Sequence, residues 1–251
     1  MWDEVALFAA IGFGAQLVDG ALGMAYGVTA TSVLLSFGVA PATASASVHV
    51  AEIFTTAAAG FSHWRIGNVA KPLLWRLAIP GMAGGALGAY VATSVPAALL
   101  RPAVSLYLLA MGIVILARAL RARLPGEPPL RRVPFLGLVG GFLDGAGGGG
   151  WGPLVTSSLV GSGTHPRFAI GSVSVAEFFV TTAISGTFLA TIGLELWPII
   201  AGLLLGGVIA APLAAWVARR VPARTLMLLV AGLVILLSLR GLAAALLPLL
   251  G

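Results

Sequence analysis

The sequence predicts an all-α polytopic membrane protein of two inverted-topology repeats, each a broken helical hairpin plus three transmembrane helices. Three observations predict it. Apolar residues make up 59% of the 251 positions, charged residues only 9%, and mean hydropathy is +1.05. A soluble domain carries roughly a quarter charged residues, so this chain cannot cover a water-facing surface. A soluble enzyme, a disordered tail and a nucleic-acid binder are excluded together. The short alternating segments and polar lumen of a transmembrane β-barrel are missing too. The second observation is a duplication: residues 19–56 and 144–181 are identical at 18 of 38 positions. The third is that the basic residues of this +6 chain gather between apolar segments, as in the positive-inside pattern.

The repeat sets the element order. Asp19-Gly20-Ala21 aligns with Asp144-Gly145-Ala146, and Gly38, Pro41 and Glu52 align with Gly163, Pro166 and Glu177. The first half, residues 1–120, contains apolar elements at 5–37, 42–64, 72–93 and 97–119. A cytoplasmic linker, 121–132, is rich in Pro and charge. The second half, 133–251, repeats the pattern at 135–162, 167–189, 197–218 and 223–247. The last three elements of each half have the ~20-residue length of a membrane span. The first element of each is longer and is broken by glycines, at 19–27 and 144–152. Met1-Trp2-Asp3-Glu4 lacks a basic n-region and reads as the start of a mature chain. There is no cysteine, hence no disulfide or thiolate chemistry.

Charge chooses between two topologies. If each first element is a single span, the 14 basic residues divide 9 against 5. If it is a hairpin that enters and leaves on one side, the second half is inverted and the division becomes 12 against 2, with Arg101 and Arg240 alone outside. The positive-inside rule favours the hairpin, with both termini outside and the linker in the cytoplasm. Interrupted segments at matching places in two inverted halves point to a transporter's binding site.

Four acids lie inside apolar elements in symmetric pairs: Asp19 with Asp144, and Glu52 with Glu177. An intramembrane ionisable residue is a functional candidate by default. Asp19 and Asp144 have an equally good structural reading as caps of a half-helix. Ser45, His49, Glu52 and Thr56 form one helical stripe, and Ser174, Glu177 and Thr181 form its counterpart. Such a stripe should face a bundle interior or water-filled path. His49 reads either as a proton carrier or as a hydrogen-bond partner of Glu52. The glycine breaks should leave backbone N–H groups of half-helix N-termini free for an anion. Gly20, Gly23, Gly27, Gly145, Gly148 and Gly152 are therefore candidate substrate-binding positions. Thr31, Ser32, Thr156 and Ser157 would add hydroxyl donors.

The paired breaks, Asp19-Gly-Ala-Leu-Gly-Met-Ala-Tyr-Gly27 and Asp144-Gly-Ala-Gly-Gly-Gly-Gly-Trp-Gly152, are followed by Gly38-Val-Ala-Pro41, Ala44-Ser-Ala-Ser-Val48 and Phe61-Ser-His-Trp-Arg-Ile-Gly-Asn68. This ordered set resembles the TauE/SafE family of sulfite and organosulfonate exporters, also grouped as 4-toluene sulfonate uptake permeases. The resemblance implies an inner-membrane secondary transporter of small sulfur-containing anions that works by alternating access, with or without proton coupling. It implies no cofactor, no metal and no enzymatic activity. The expected partners are the small anion and the lipid bilayer, and a homodimer suits a carrier of this size. The sequence departs from the commoner family pattern at His49, Glu52 and Glu177. Two other readings remain open on the residues: a divalent-metal carrier using Asp19, Asp144, Glu52, Glu177 and His49, and an intramembrane metalloenzyme around His49, Glu52 and His63, which lacks an H-E-x-x-H motif.

Overall fold

The computed structural model describes residues 2–22, 24–120, 132–193, 197–220 and 222–246. The linker 121–131 and Gly23 lie outside the described residues. The first half contributes α1 (Trp2–Leu22), α2 (Tyr26–Ser36), α3 (Pro41–Arg65), α4 (Lys71–Ser94) and α5 (Ala97–Leu120). The second contributes α6 (Val133–Gly147), a π-helical turn (Trp151–Thr156), α7 (Ser157–Gly161), α8 (Pro166–Thr191), α9 (Trp197–Arg220) and α10 (Ala223–Leu246). No strand occurs among the described residues. Segments 97–120, 167–191 and 224–245 are long and apolar enough to cross a bilayer by length and composition.

Proline and glycine punctuate these helices. Pro41 and Pro166 open α3 and α8 in the first helical turn, where a missing N–H costs nothing. Gly38 and Gly163 close the preceding elements at φ 87° and 96°. Only glycine adopts that left-handed conformation without strain, so the duplication reaches backbone conformation.

Small residues set the helix pairing. Gly137, Gly141 and Gly145 of α6 pack on Leu77, Gly81 and Gly85 of α4, so the two run parallel in direct backbone contact. Gly202 and Gly206 of α9 pack on Val5 and Ala9 of α1 in the same sense. The first helix of each half thus lies against the fourth helix of the other half's hairpin-plus-three set. By contrast α5 and α10 are antiparallel, with Gly112 on Ile235 and Gly241 on Ser105. The third repeat-related pair, α3 with α8, meets where Gly60 touches Val175.

These contacts place the hairpins. The α2–α3 turn, the α4–α5 turn and the end of α8 line one cavity of about 430 Å³. Helix α1 starts beside the start of α9 at that same end of the bundle. It runs inward to the break at Met24–Ala25, and α2 returns to the end from which α1 came. The second hairpin opens at the opposite end, where Asn68 after α3 packs on Gly171 and accepts from Arg167 Nε at 2.6 Å. Arg65, Lys71, Arg76, Arg118, Arg132 and Arg167 belong to this second end, and Arg101 and Arg240 to the first. Around the bundle, Leu99, Leu106, Ile113 and Leu120 of α5 form an exposed stripe, matched by Leu229 and Leu236 of α10. An apolar band of that kind is a lipid-facing surface. Trp64, Trp75, Tyr90 and Trp197 are exposed near helix ends, as interfacial aromatics are.

Candidate functional site

The two hairpin tips touch. Gly27 lies against Gly149, and Gly152 against Met24, so closely that a Cβ on Gly27 would come within 2.7 Å of the Gly149 Cα. Glycine is required here by close backbone approach. The break holding Gly149 is left-handed at Gly148 and Gly149 (φ 73° and 150°), whereas the first break uses Ala25 at φ 103°. Between the tips is a cavity of about 10 Å³, lined by Tyr26, Gly27, Glu52, Asp144, Gly149, Trp151 and Glu177 among others. That volume holds about one water molecule.

The aspartates sit on the last turns of α1 and α6, within the helices rather than in the breaks. Each reaches across its break to the next half-helix. Asp19 Oδ1 accepts from the Tyr26 N–H at 3.3 Å, and Asp144 Oδ1 accepts from the Trp151 N–H at 3.1 Å. Both bonds span seven residues and occupy repeat-equivalent positions. Glu52, from α3, accepts from the next N–H, that of Gly27. The half-helix N-termini that the sequence offers to an anion are thus held by the protein's own carboxylates, as the helix dipole favours.

His49 joins the second tip to α3. It is fully buried, with Nε2 3.2 Å from Asp144 Oδ2 and 3.9 Å from Glu52 Oε2. Its Nδ1 is 2.8 Å from the Ser45 carbonyl oxygen. A carbonyl only accepts, so Nδ1 carries a proton. The remaining contact then needs one proton between Nε2 and Asp144: an imidazolium facing a carboxylate, or a neutral imidazole accepting from a carboxylic acid. In either form the pair holds that proton in a dry interior. Ser45 Oγ, which donates to the Gly145 carbonyl at 2.8 Å, ties α3 to the end of α6.

The other candidates divide. The Thr31 hydroxyl donates to the Gly148 carbonyl, bracing one tip against the other. Its counterpart Thr156 is buried with no hydrogen-bond partner among the described residues. Gly27 and Gly152 line the central cavity, Gly148 braces it, and Gly145 is held by Ser45. Gly20 lies within α1. Thr56 donates to the Glu52 carbonyl and Thr181 to the Phe178 carbonyl, so both bond their own helices. Ser174 is buried on α8 beside Gly60 and does not line the cavity. Ser32 lines a different cavity, and Ser157 accepts from Arg118, which also reaches the Met24 sulfur at 3.3 Å. Sequence reasoning missed Tyr107 and Arg118. The Tyr107 hydroxyl donates to the Gly149 carbonyl at 2.8 Å. Both residues sit on α5 without a polar counterpart in the repeat, so no symmetry signal marked them. Among the described residues no three His, Asp or Glu side chains converge as metal ligands.

Fold and site define an all-α polytopic membrane protein with a polar centre between two broken hairpins. The chain belongs to the TauE/SafE sulfite exporter family, whose model matches residues 8–241. It is 44% identical over 249 residues to a probable membrane transporter protein, YtnM, of Bacillus subtilis (strain 168), covering 95% of this chain and 83% of that one. No solved structure matches. Family and relative both point to a membrane transporter rather than an enzyme.

Proposed function

We propose that the protein is a proton-coupled carrier of small sulfur-containing anions, such as sulfite or a small organosulfonate, in the cytoplasmic membrane. It works by alternating access between two inverted repeats. The antiparallel packing of the repeat-equivalent helices α5 and α10 supports the inversion, because halves related by an axis along the membrane normal would make them parallel. The crowding of basic residues at one end of the bundle supports a cytoplasmic location for that end. Family membership supports the substrate class.

One observation carries the coupling: carboxylates occupy the half-helix N-termini. A carboxylate there is a stand-in for an anionic substrate. When Glu52 takes up a proton it loses its charge and most of its hold on the Gly27 N–H. The anion then takes the freed donors, and the centre avoids the cost of several buried like charges. Proton and anion therefore enter the site together. His49, with one proton already shared with Asp144, is the relay beside it. Rocking of the halves about the touching tips would expose the site alternately to the two ends.

The test is flux in proteoliposomes loaded with sulfite or a small sulfonate, across a range of pH. Saturable flux that rises as pH falls, and loses that rise in Glu52→Gln, is expected. The same pH-dependence in wild type and variant would contradict the coupling. Transport of divalent metals without transport of oxyanions would select a cation carrier instead.

A further inference from the structure

A second polar cavity, of about 130 Å³, lies between α2, α5 and α10, away from the central site. Its walls include Ser32, Ser36, Arg101, Ser105, Ser238 and Arg240. Arg101 and Arg240 are the only two basic residues that the charge count assigns to this end of the bundle, and none of the described residues lining the cavity is acidic. Arg101 Nη2 donates to the Gly38 carbonyl at 2.9 Å, which fixes the guanidinium and leaves further N–H groups of its fork for a ligand.

Two hydroxyls in the wall carry the inference. Ser32 and Ser238 are each 3% exposed, and neither Oγ has a hydrogen-bond partner among the described residues. A buried unpaired hydroxyl costs about 1–3 kcal/mol, and both belong to residues that line one cavity, where an acceptor would relieve that cost. The repeat sharpens this. Ser157, the counterpart of Ser32, meets a cation directly by accepting from Arg118. Ser32 has no such partner among the described residues, and the two arginines line the same cavity. An oxyanion is the ligand that a lining of hydroxyls and guanidinium groups without a carboxylate would take.

We propose that this cavity binds a small oxyanion, as a loading site at the outer end of the carrier. Arg101 and Arg240 supply the charge, and the Ser32 and Ser238 hydroxyls donate from below. The cavity is more than ten times the volume of the central one, which suits an inorganic oxyanion or the oxyanion head of an acidic lipid, whose chains would lie along α5 and α10. Assigning the transported sulfur anion to it rests on the carrier reading above; the oxyanion chemistry does not.

Binding of ³⁵S-sulfite to the full chain in nanodiscs of neutral phosphatidylcholine reads the site. The Arg101→Gln, Arg240→Gln double variant should weaken the arginine-dependent class of binding by about tenfold, and Ser32→Ala with Ser238→Ala should weaken it by about threefold. The serine pair keeps the test open if the arginine pair fails to fold, which size-exclusion chromatography reports. Phosphatidylglycerol added to the nanodiscs separates the two sources. Displacement of sulfite that requires both arginines identifies a lipid head in the site, and its absence identifies the free anion. Unchanged sulfite binding in both double variants overturns the proposal, as does a wild type that takes neither sulfite nor phosphatidylglycerol. Arginine-dependent binding without any oxyanion flux would fail the carrier reading and leave this site standing. For a loading site that feeds transport, the arginine pair should raise the KM for sulfite by about tenfold and leave the maximal rate nearly unchanged.

Discussion

The two hairpin tips carry the same aspartate seven residues before the same backbone donor, yet only the second aspartate is latched by a histidine. In the second hairpin, Asp144 holds the Trp151 N–H and is itself held by His49, while Tyr107 holds the Gly149 carbonyl and Arg118 holds Ser157. In the first hairpin, Asp19 holds the Tyr26 N–H, the Tyr26 hydroxyl donates to the Leu203 carbonyl, Thr31 donates to the Gly148 carbonyl, and Ser32 has no partner among the described residues. The repeat writes Ser174 where the first half has His49, so Asp19 lacks an imidazole from α8. The symmetry of the repeat is thus broken by a few polar residues on α3 and α5. The half-helix N-termini remain equivalent, but the groups that fix them do not. Proton-linked movement is therefore expected to centre on the first tip, where Glu52 meets Gly27, with the second tip, held by His49 and Tyr107, as the firmer partner.

The largest effect should come from removing the space where the tips cross. A Cβ on Gly149 would overlap the Gly27 carbonyl carbon and the Val28 nitrogen, at a left-handed position. Gly149→Ala should cost about 3 kcal/mol and abolish flux, as thermal unfolding in detergent and proteoliposome transport would show. Next comes the latch itself. His49→Ser makes the first half resemble the second and leaves Asp144 buried without its proton partner. It should cost about 3 kcal/mol and flatten the pH profile of flux, while Ser174→His should leave both nearly unchanged. If the two substitutions behave alike, the asymmetry has no functional weight. Arg118→Gln should be milder, about 1.5 kcal/mol from one charge-assisted hydrogen bond, read as a fall in melting temperature. The smallest change expected is a gain. Ala25 is a non-glycine residue at φ 103°, so Ala25→Gly should stabilise the first tip by about 1 kcal/mol.

Most of the fold was legible because the bilayer constrains it strongly. Span lengths, Pro41 and Pro166 at helix starts, and the glycine breaks all gave element positions that agree with the helices to within a few residues. The charge count pointed to a hairpin, and the shared ends of α1 and α2 agree with it. The site was legible in part. Symmetric acids stand out in an apolar chain, and Asp144, Glu52 and Glu177 do meet at one cavity. What the sequence could not supply was which donors the acids already hold. Tyr26 and Trp151 contribute backbone N–H groups, and a backbone contact leaves no mark on residue identity. Thr56 and Thr181 fit the polar stripe by spacing, but a threonine hydroxyl can bond its own helix, and theirs do. Arg118 and Tyr107 carry no such mark, because their repeat counterparts are Ala244 and Leu233 and the symmetry is broken there.

The most direct test follows protons and anion together. Proteoliposomes containing a trapped pH-sensitive dye would be given an inward gradient of methanesulfonate, which stays fully ionised near neutral pH and so carries no proton of its own. Internal acidification that accompanies uptake in the wild type, and disappears in Glu52→Gln, is the expected result. Sulfonate uptake by the wild type with no proton movement would contradict proton-coupled release of the half-helix N-termini.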